Sequence, residues 1–113
     1  MNEIIKAMET RRSVRSFKPD MPSKEDIDLI LEAGLYAANG RGRQAAIMIA
    51  VTNKELRDKL SDANRQIGGW DEGFDPFYGA PVIIIVLAEK DWSTHVYDGS
   101  LVMGNLMLAA HSL

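Results

Sequence analysis

Residues 82–110, VIIIVLAEKDWSTHVYDGSLVMGNLMLAA, carry the two patterns on which the fold turns. Val82 to Leu87 is a run of apolar, mostly β-branched residues without alternation, opened by Pro81. Such a run is expected as a strand buried on both faces, as a central strand would be. From Asp91 onward the pattern turns helical. Leu101, Val102, Met103, Leu106, Met107, Leu108, Ala109 and Ala110 leave little polar surface, which predicts a helix enclosed on nearly all sides. Gly104 and the two alanines leave room for another helix to approach closely.

Upstream of this stretch, IGGWDEGFDPFYGAP is rich in glycine and aromatics and reads as a loop. Before it, Asn53 can cap a helix in which Leu56, Leu60, Ala63 and Ile67 line one face and Arg57, Asp58, Lys59 and Asp62 occupy the other. Ala46 to Val51 is a partly β-branched apolar run of strand length. NGRGRQ is the loop before that strand. Ser23 with Asp26 makes a capping-box-like start, and Ile27, Ile30, Leu31, Gly34, Leu35 and Ala38 then form one apolar stripe. A short helix is expected over Glu3 to Thr10, where Ile4, Ile5 and Met8 recur at helical spacing behind a possible Asn2 cap. No repeat or linker-like stretch divides residues 1–113, so a single domain is expected.

Two features point to missing partners. Only two good strands are found, and an isolated two-stranded sheet is marginal. The last helix reaches Leu113 with no glycine cap, terminal basic residue or proline to receive its final carbonyls. Either the natural chain continues or a second subunit supplies the surfaces these elements were built to meet.

With 113 residues, 46% hydrophobic and 26% charged, the composition is that of an ordinary globular domain. A formal charge of −3 argues against a general nucleic-acid binder, so any anion site must be local. The absence of cysteine removes disulfides, thiolate nucleophiles and cysteine-ligated metals. The opening residues do not read as a secretory signal, and no apolar run approaches the roughly 20 residues of a membrane helix. A soluble, cytoplasmic protein without a membrane partner is expected.

The chemistry concentrates in RRSVRSF, residues 11–17, where Arg11, Arg12, Ser13 and Arg15 follow directly on the first helix. Guanidinium groups fork onto phosphate oxygens, and a hydroxyl or backbone N–H can take the remaining acceptors. A solvated basic turn is the plain alternative on spacing alone. GRGRQA from Gly40 formally matches the dinucleotide-binding fingerprint. That motif needs a strand before it and a helix after it, whereas here the order is reversed. Such a loop is better suited to close backbone approach to a flat or anionic ligand, with Arg41 or Arg43 nearby, or to a flexible surface turn. His95 and His111 lack metal-ligand spacing, so no metal site is expected and both are assigned structural or surface roles. Asp71, Glu72 and Asp75 lack calcium-loop spacing and read as a solvated acidic loop. Trp70, Phe74, Phe77 and Tyr78 either cover an aromatic ligand or pin their own loop.

In order and spacing, the opening helix, RRSVRSF, the helix ending in YAANGRGRQ, the strands AIMIAV and VIIIVLA, and the helix DGSLVMGNLMLAAHSL resemble the FMN-dependent nitroreductase family. R-R-S-x-R-x-F is the most specific element, and an acidic residue followed by a small-and-apolar helix with M-x-N-L-M-L-A-A is the second. The resemblance implies an α+β fold with a central, mainly antiparallel sheet flanked by helices, and an intertwined homodimer with FMN at the interface. Arg11 and Ser13 then match phosphate and ribityl contacts, Arg12 lies alongside, and Arg15 matches the basic residue beside flavin N1 and O2. Asn64 matches an asparagine that contacts the flavin ring. Ala38, Asn39 and Gly40 match the loop that the partner subunit lays beside the flavin, where the family often has proline and serine. Ala45-Ala46 likewise replaces a proline and a bulky aromatic. The family also continues beyond this point with a strand, a glycine-bearing loop and a late basic residue, so the chain is expected to be C-terminally incomplete.

The resemblance implies an oxidoreductase in which NADH or NADPH delivers hydride to flavin N5 and then gives way to a small-molecule acceptor, a nitroaromatic, quinone or similar compound. The redox chemistry belongs to the cofactor, so no side chain is named as a catalytic acid or base. The alternative is a non-catalytic, truncated nitroreductase-fold module that acts through dimerisation and binds little or no flavin.

Overall fold

The structure, a computed structural model, describes residues 2–113. Its elements in chain order are helix α1 (Glu3–Thr10), helix α2 (Lys24–Leu35), strand β1 (Ala46–Val51), helix α3 (Lys54–Gly68), strand β2 (Ile83–Ala88) and helix α4 (His95–Ser112), with a short 3₁₀ turn at Gly40–Gly42. β1 and β2 pair antiparallel in one sheet, and Glu89 N–H reaches Ala45 O just beyond the pair. The chain is therefore α+β. No helix among the described residues is long and apolar enough to cross a membrane.

The three predicted caps form as the side chains dictate. Asn2, Ser23 and Asn53 each accept a hydrogen bond from a first-turn N–H, of Ile5, Asp26 and Leu56 respectively, which satisfies a donor that the helix itself cannot. α3 ends on Gly69 in the left-handed conformation, φ 73°, where a side chain would be strained. Asn53→Ala should cost about 1 kcal/mol of stability, read as a lowered urea midpoint with unchanged slope.

Contacts cluster into two compact units. The first comprises residues 1–12, 23–49 and 85–113. Here α2 packs along α4, and α1 touches α4 near its end. Ile27, Val102 and Leu106 form the buried apolar centre. The close α2 approach depends on Gly34: a Cβ there would lie 2.5 Å from Met48 Sδ and 2.9 Å from Leu106 Cδ2. Polar ties hold the helices in register. Asn105 Nδ2 donates to Ala33 O at 2.9 Å, and Thr10 Oγ1 lies 3.1 Å from His111 Nε2.

The second unit comprises residues 13–22 and 50–84. It is built around α3 and the loop at residues 69–82, and Phe17 N–H bonds Tyr78 O at 3.1 Å. Val51 is its buried apolar residue, joined by the polar Arg57 and Ser61.

Three expectations about burial are corrected. α4 is not enclosed on nearly all sides: only Asp98, Val102 and Leu106 are buried, while Leu101, Met103 and Met107 are exposed. α1 and α2 cover one side of α4, and a Cβ at Gly104 would meet nothing. β2 is half-buried rather than buried on both faces, with Leu87 exposed, because a two-stranded sheet has no central strand. α3 turns inward a face rotated from the one expected: Arg57 and Ser61 are buried and Leu60 is half-buried, whereas Leu56 and Ala63 are exposed and Ile67 is 88% exposed; Asp58, Lys59 and Asp62 stay exposed as expected. A specific polar partner, Asp75, decides that orientation against the hydrophobic pattern.

Candidate functional site

The basic loop begins where α1 stops. Arg11 is the C-cap residue, its N–H bonded to Ala7 O, and its side chain is half-buried. Arg12 Nη1 donates to Glu9 O at 2.7 Å and to Arg11 O at 2.9 Å, so it serves the unsatisfied carbonyls at the helix end. Arg12, Ser13 and Arg15 are exposed. Among the described residues, Arg43, Arg57 and Arg65 are in ion pairs with carboxylates, whereas Arg11, Arg12 and Arg15 are in none. In a chain of net negative charge, these three guanidiniums lie within five positions in sequence and have no acid partner among the described residues.

The loop carrying Ala38, Asn39 and Gly40 is fixed from several directions. Asn39 Oδ1 accepts Gln44 N–H at 2.8 Å, and Asn39 Nδ2 donates to Ala37 O at 3.4 Å. Gly40 N–H donates to Asp98 Oδ1 at 3.0 Å, while Thr94 Oγ1 donates to Asp98 Oδ2 at 3.0 Å. A Cβ on Gly40 would collide with the Thr94 hydroxyl, so glycine permits this approach. Arg41 and Gln44 hold left-handed backbone, φ 56° and 53°, a conformation costing roughly 1 kcal/mol for such residues. Helix α2 precedes this loop and strand β1 follows it, the order that excludes the dinucleotide fingerprint. Arg43 is not free for a ligand. Its fork engages Glu89, with Nη2–Oε1 at 2.8 Å and Nε–Oε2 at 3.0 Å, and its guanidinium lies 4.7 Å from the Trp92 ring centre.

Asn64 stands on an exposed turn of α3, where its Nδ2 donates to Leu60 O at 2.9 Å and its side-chain oxygen is left to accept. The histidines bond within the protein, His95 Nδ1 to Trp92 O at 2.8 Å and His111 to Thr10.

Asp71 and Glu72 are exposed as expected, but Asp75 is not a solvated acid. Its Oδ1 accepts Ser61 Oγ at 2.7 Å and Phe77 N–H at 3.0 Å; its Oδ2 accepts Gly79 N–H at 2.8 Å and the Arg57 guanidinium. Arg57 Nε also donates to Ala80 O at 2.8 Å. Burial alone would raise the Asp75 pKa. The Arg57, Ser61, Phe77 and Gly79 donors outweigh it and hold the carboxyl well below the usual carboxylate range. The loop aromatics contact one another, with ring centres 5.4 Å apart for Trp70–Phe74 and 6.0 Å for Phe74–Tyr78, as expected of a loop pinned by its own rings.

The sequence reading thus named the arginine loop and the Ala38–Gly40 turn but missed what secures them. For Asp98 a signal existed, the one acid in a helix rich in apolar residues, where a buried carboxylate is rare without a partner. For the Arg57–Asp75 pair no signal existed, because both lie in segments where charge is ordinary.

The chain is α+β, with a cation-rich turn after its first helix and a clamped glycine loop before its first strand, and comparison with known proteins makes the assignment. The family model described as "Nitroreductase family" matches residues 8–68. The chain belongs to the nitroreductase family. It is 31% identical over 120 residues to a protein of Methanothermobacter thermautotrophicus assigned by name as an NADH dehydrogenase/NAD(P)H nitroreductase, covering 98% of this chain and 56% of that one. It is 32% identical over 89 residues to the FMN reductase (NAD(P)H) of Bacillus subtilis, covering 79% of this chain and 33% of that one. A nitroreductase from Desulfitobacterium hafniense, solved with bound FMN, superposes with a TM-score of 0.91 at 33% identity, over 99% of this chain and 66% of that one. The chain therefore spans about half the length, or less, of these two curated relatives, and the nitroreductase-like fold is shown.

Proposed function

We propose that this chain is the FMN-binding part of an NAD(P)H-dependent oxidoreductase that works as an intertwined homodimer. The observation that carries the reading is that Arg11, Arg12 and Arg15, close together in sequence, have no carboxylate partner among the described residues. Its donor set fits the cofactor: Arg11 and Ser13 would hold the phosphate and ribityl chain, with Arg12 beside them, and Arg15 would place a fixed positive charge at the pyrimidine edge of the ring. Asn64 would contact the ring, and the partner's Ala38–Gly40 turn would flank it. FMN, when bound, supplies hydride exchange with NADH or NADPH and then with a nitroaromatic, quinone or similar small acceptor. Arg15 would favour the more negative, reduced form of the ring through its positive charge, with no side chain assigned a proton transfer.

The homodimer is supported by the apolar surface each copy leaves uncovered. Ile4 and Ala7 of α1, Ala33 of α2, and Leu108 and Ala109 of α4 line a groove of about 360 Å³ within the first unit. Exposed Leu101 and Met107 continue the apolar character of α4.

The test is anaerobic titration of purified protein loaded with FMN. Flavin absorbance should bleach on addition of NADH or NADPH and recover with a quinone or nitroaromatic acceptor. A dimer that takes up no flavin would instead favour the second reading, a non-catalytic nitroreductase-fold module, which draws on the fraction of the relatives' length that this chain spans.

A further inference from the structure

Asp98 is the largest fully buried side chain among the described residues, 2% exposed, and it sits in the first turn of α4, where it is the one carboxylate. Burying a carboxylate is costly unless donors replace the lost water. Here each oxygen has one, the Gly40 N–H on Oδ1 and the Thr94 hydroxyl on Oδ2, and the positive end of the α4 dipole adds to them. Thr94 occupies the N-cap position of α4, yet its side chain makes no cap bond. A residue type suited to capping gives its hydroxyl to Asp98 instead. Local helix stability is thus forgone in favour of a long-range tie to a loop 58 residues away in sequence. Asn39 closes the same loop on itself through Gln44 N–H, and Gly40 lacks the Cβ that would push the loop off Thr94. The N–H groups of Ala38 and Asn39 take part in no hydrogen bond among the described residues, so the clamp leaves donors free beside the one it holds.

We propose that Asp98 is a positioning residue for the cofactor: by gripping Gly40 N–H, with Thr94 as its second support, it fixes the Ala38–Gly40 turn in the one placement from which the turn's backbone can flank the flavin held by the other copy. This rests on the flavin reading given above. Asp98 does not touch the cofactor and acts only through the loop. Its role is geometric rather than electrostatic, because an amide at the same place can still accept from Gly40 N–H while donating to the Thr94 oxygen.

The experiment compares wild type, Asp98→Ala, Asp98→Asn and Thr94→Val as full chains, measuring FMN affinity by flavin fluorescence, the visible spectrum of the saturated protein and the melting temperature without FMN. Asp98→Ala should weaken FMN binding about 10-fold, with displaced visible bands at saturation, and Thr94→Val about 3-fold, on the scale of one or two lost hydrogen bonds. Asp98→Asn should rescue both affinity and spectrum to near wild type. If Asp98→Ala fails to fold, Thr94→Val and Asp98→Asn decide the matter by the same readouts. Unchanged affinity and spectrum in Asp98→Ala and Thr94→Val, with only the melting temperature lowered, would reduce Asp98 to a packing residue and overturn the proposal. An Asp98→Asn variant as impaired as Asp98→Ala would overturn the geometric role. A wild type that binds no FMN would sink the flavin reading itself and the positioning role with it, an outcome distinct from the other two.

Discussion

Arg57→Ala should destabilise the protein by roughly 3 kcal/mol, the largest loss expected for a single side chain outside the apolar core. The substitution leaves Asp75 without its counter-charge and Ala80 O without its guanidinium donor. Arg57 is 8% exposed, so water cannot readily replace what is lost on its side, whereas the partly accessible Asp75 keeps the figure at the low end for buried pairs. Arg57→Lys should recover only part of the loss, because one ammonium cannot serve both Asp75 and the Ala80 carbonyl as the fork does. Urea unfolding followed by tryptophan fluorescence provides the measurement, since Trp70 lies in the anchored loop; a loss below about 1 kcal/mol would show the pair to be dispensable.

The same cluster fixes a pH dependence. The folded-state pKa of Asp75 is depressed, so its contribution is fully present above the unfolded carboxylate value of about 4 and is lost as pH falls through that value toward the folded one. Wild-type stability should therefore decline on the acid side of pH 4. Asp75→Asn should be less stable at neutral pH and show a shallower acid decline. A parallel decline in both proteins would assign the acid sensitivity to other carboxylates.

Arg11→Ala should weaken FMN binding about 10- to 100-fold, the range set by losing a charge-assisted hydrogen bond to phosphate. Riboflavin, which lacks the phosphate, discriminates the cause. Arg11→Ala should leave riboflavin affinity nearly unchanged and so narrow the preference for FMN over riboflavin. An equal loss for both ligands would mean that the Arg11 side chain acts on a part of the flavin other than the phosphate, since the backbone N–H that caps Ala7 O is kept in the variant. Raising the salt concentration should weaken FMN binding to wild type more than to the variant, because exposed cations are screened.

Much of the local structure was legible in the sequence because it is governed by near neighbours. Asn2, Ser23 and Asn53 cap helices as their side chains dictate, and Ala46–Val51 pairs as a strand as its apolar, β-branched content requires. Glycine and aromatic content predicted a loop over residues 67–81, and the structure has it from Gly69 onward, with Ile67 and Gly68 still in α3. Orientation was less legible. The apolar stripe Leu56, Leu60, Ala63 and Ile67 predicted the inner face of α3, yet the helix is rotated so that Arg57 and Ser61 are buried beside a half-buried Leu60, because a carboxylate 14 to 18 residues onward offers the two polar residues a fully bonded environment. Hydrophobic periodicity shows that a helix has two faces but cannot say which is covered when the apolar one awaits a surface outside the chain.

The sequence by itself determined the helices, the two strands, their order, the arginine turn and the family resemblance, since each depends on residue type and short-range spacing. Only the tertiary structure decided that Asp75 is an ion-paired anchor, that Arg43 is occupied by Glu89 and Trp92, and that Asp98 grips Gly40. Those assignments depend on which distant groups meet after folding: a carboxylate is a solvated charge or a buried tie according to the donors within about 3 Å of it, and long-range proximity leaves no imprint on local sequence pattern.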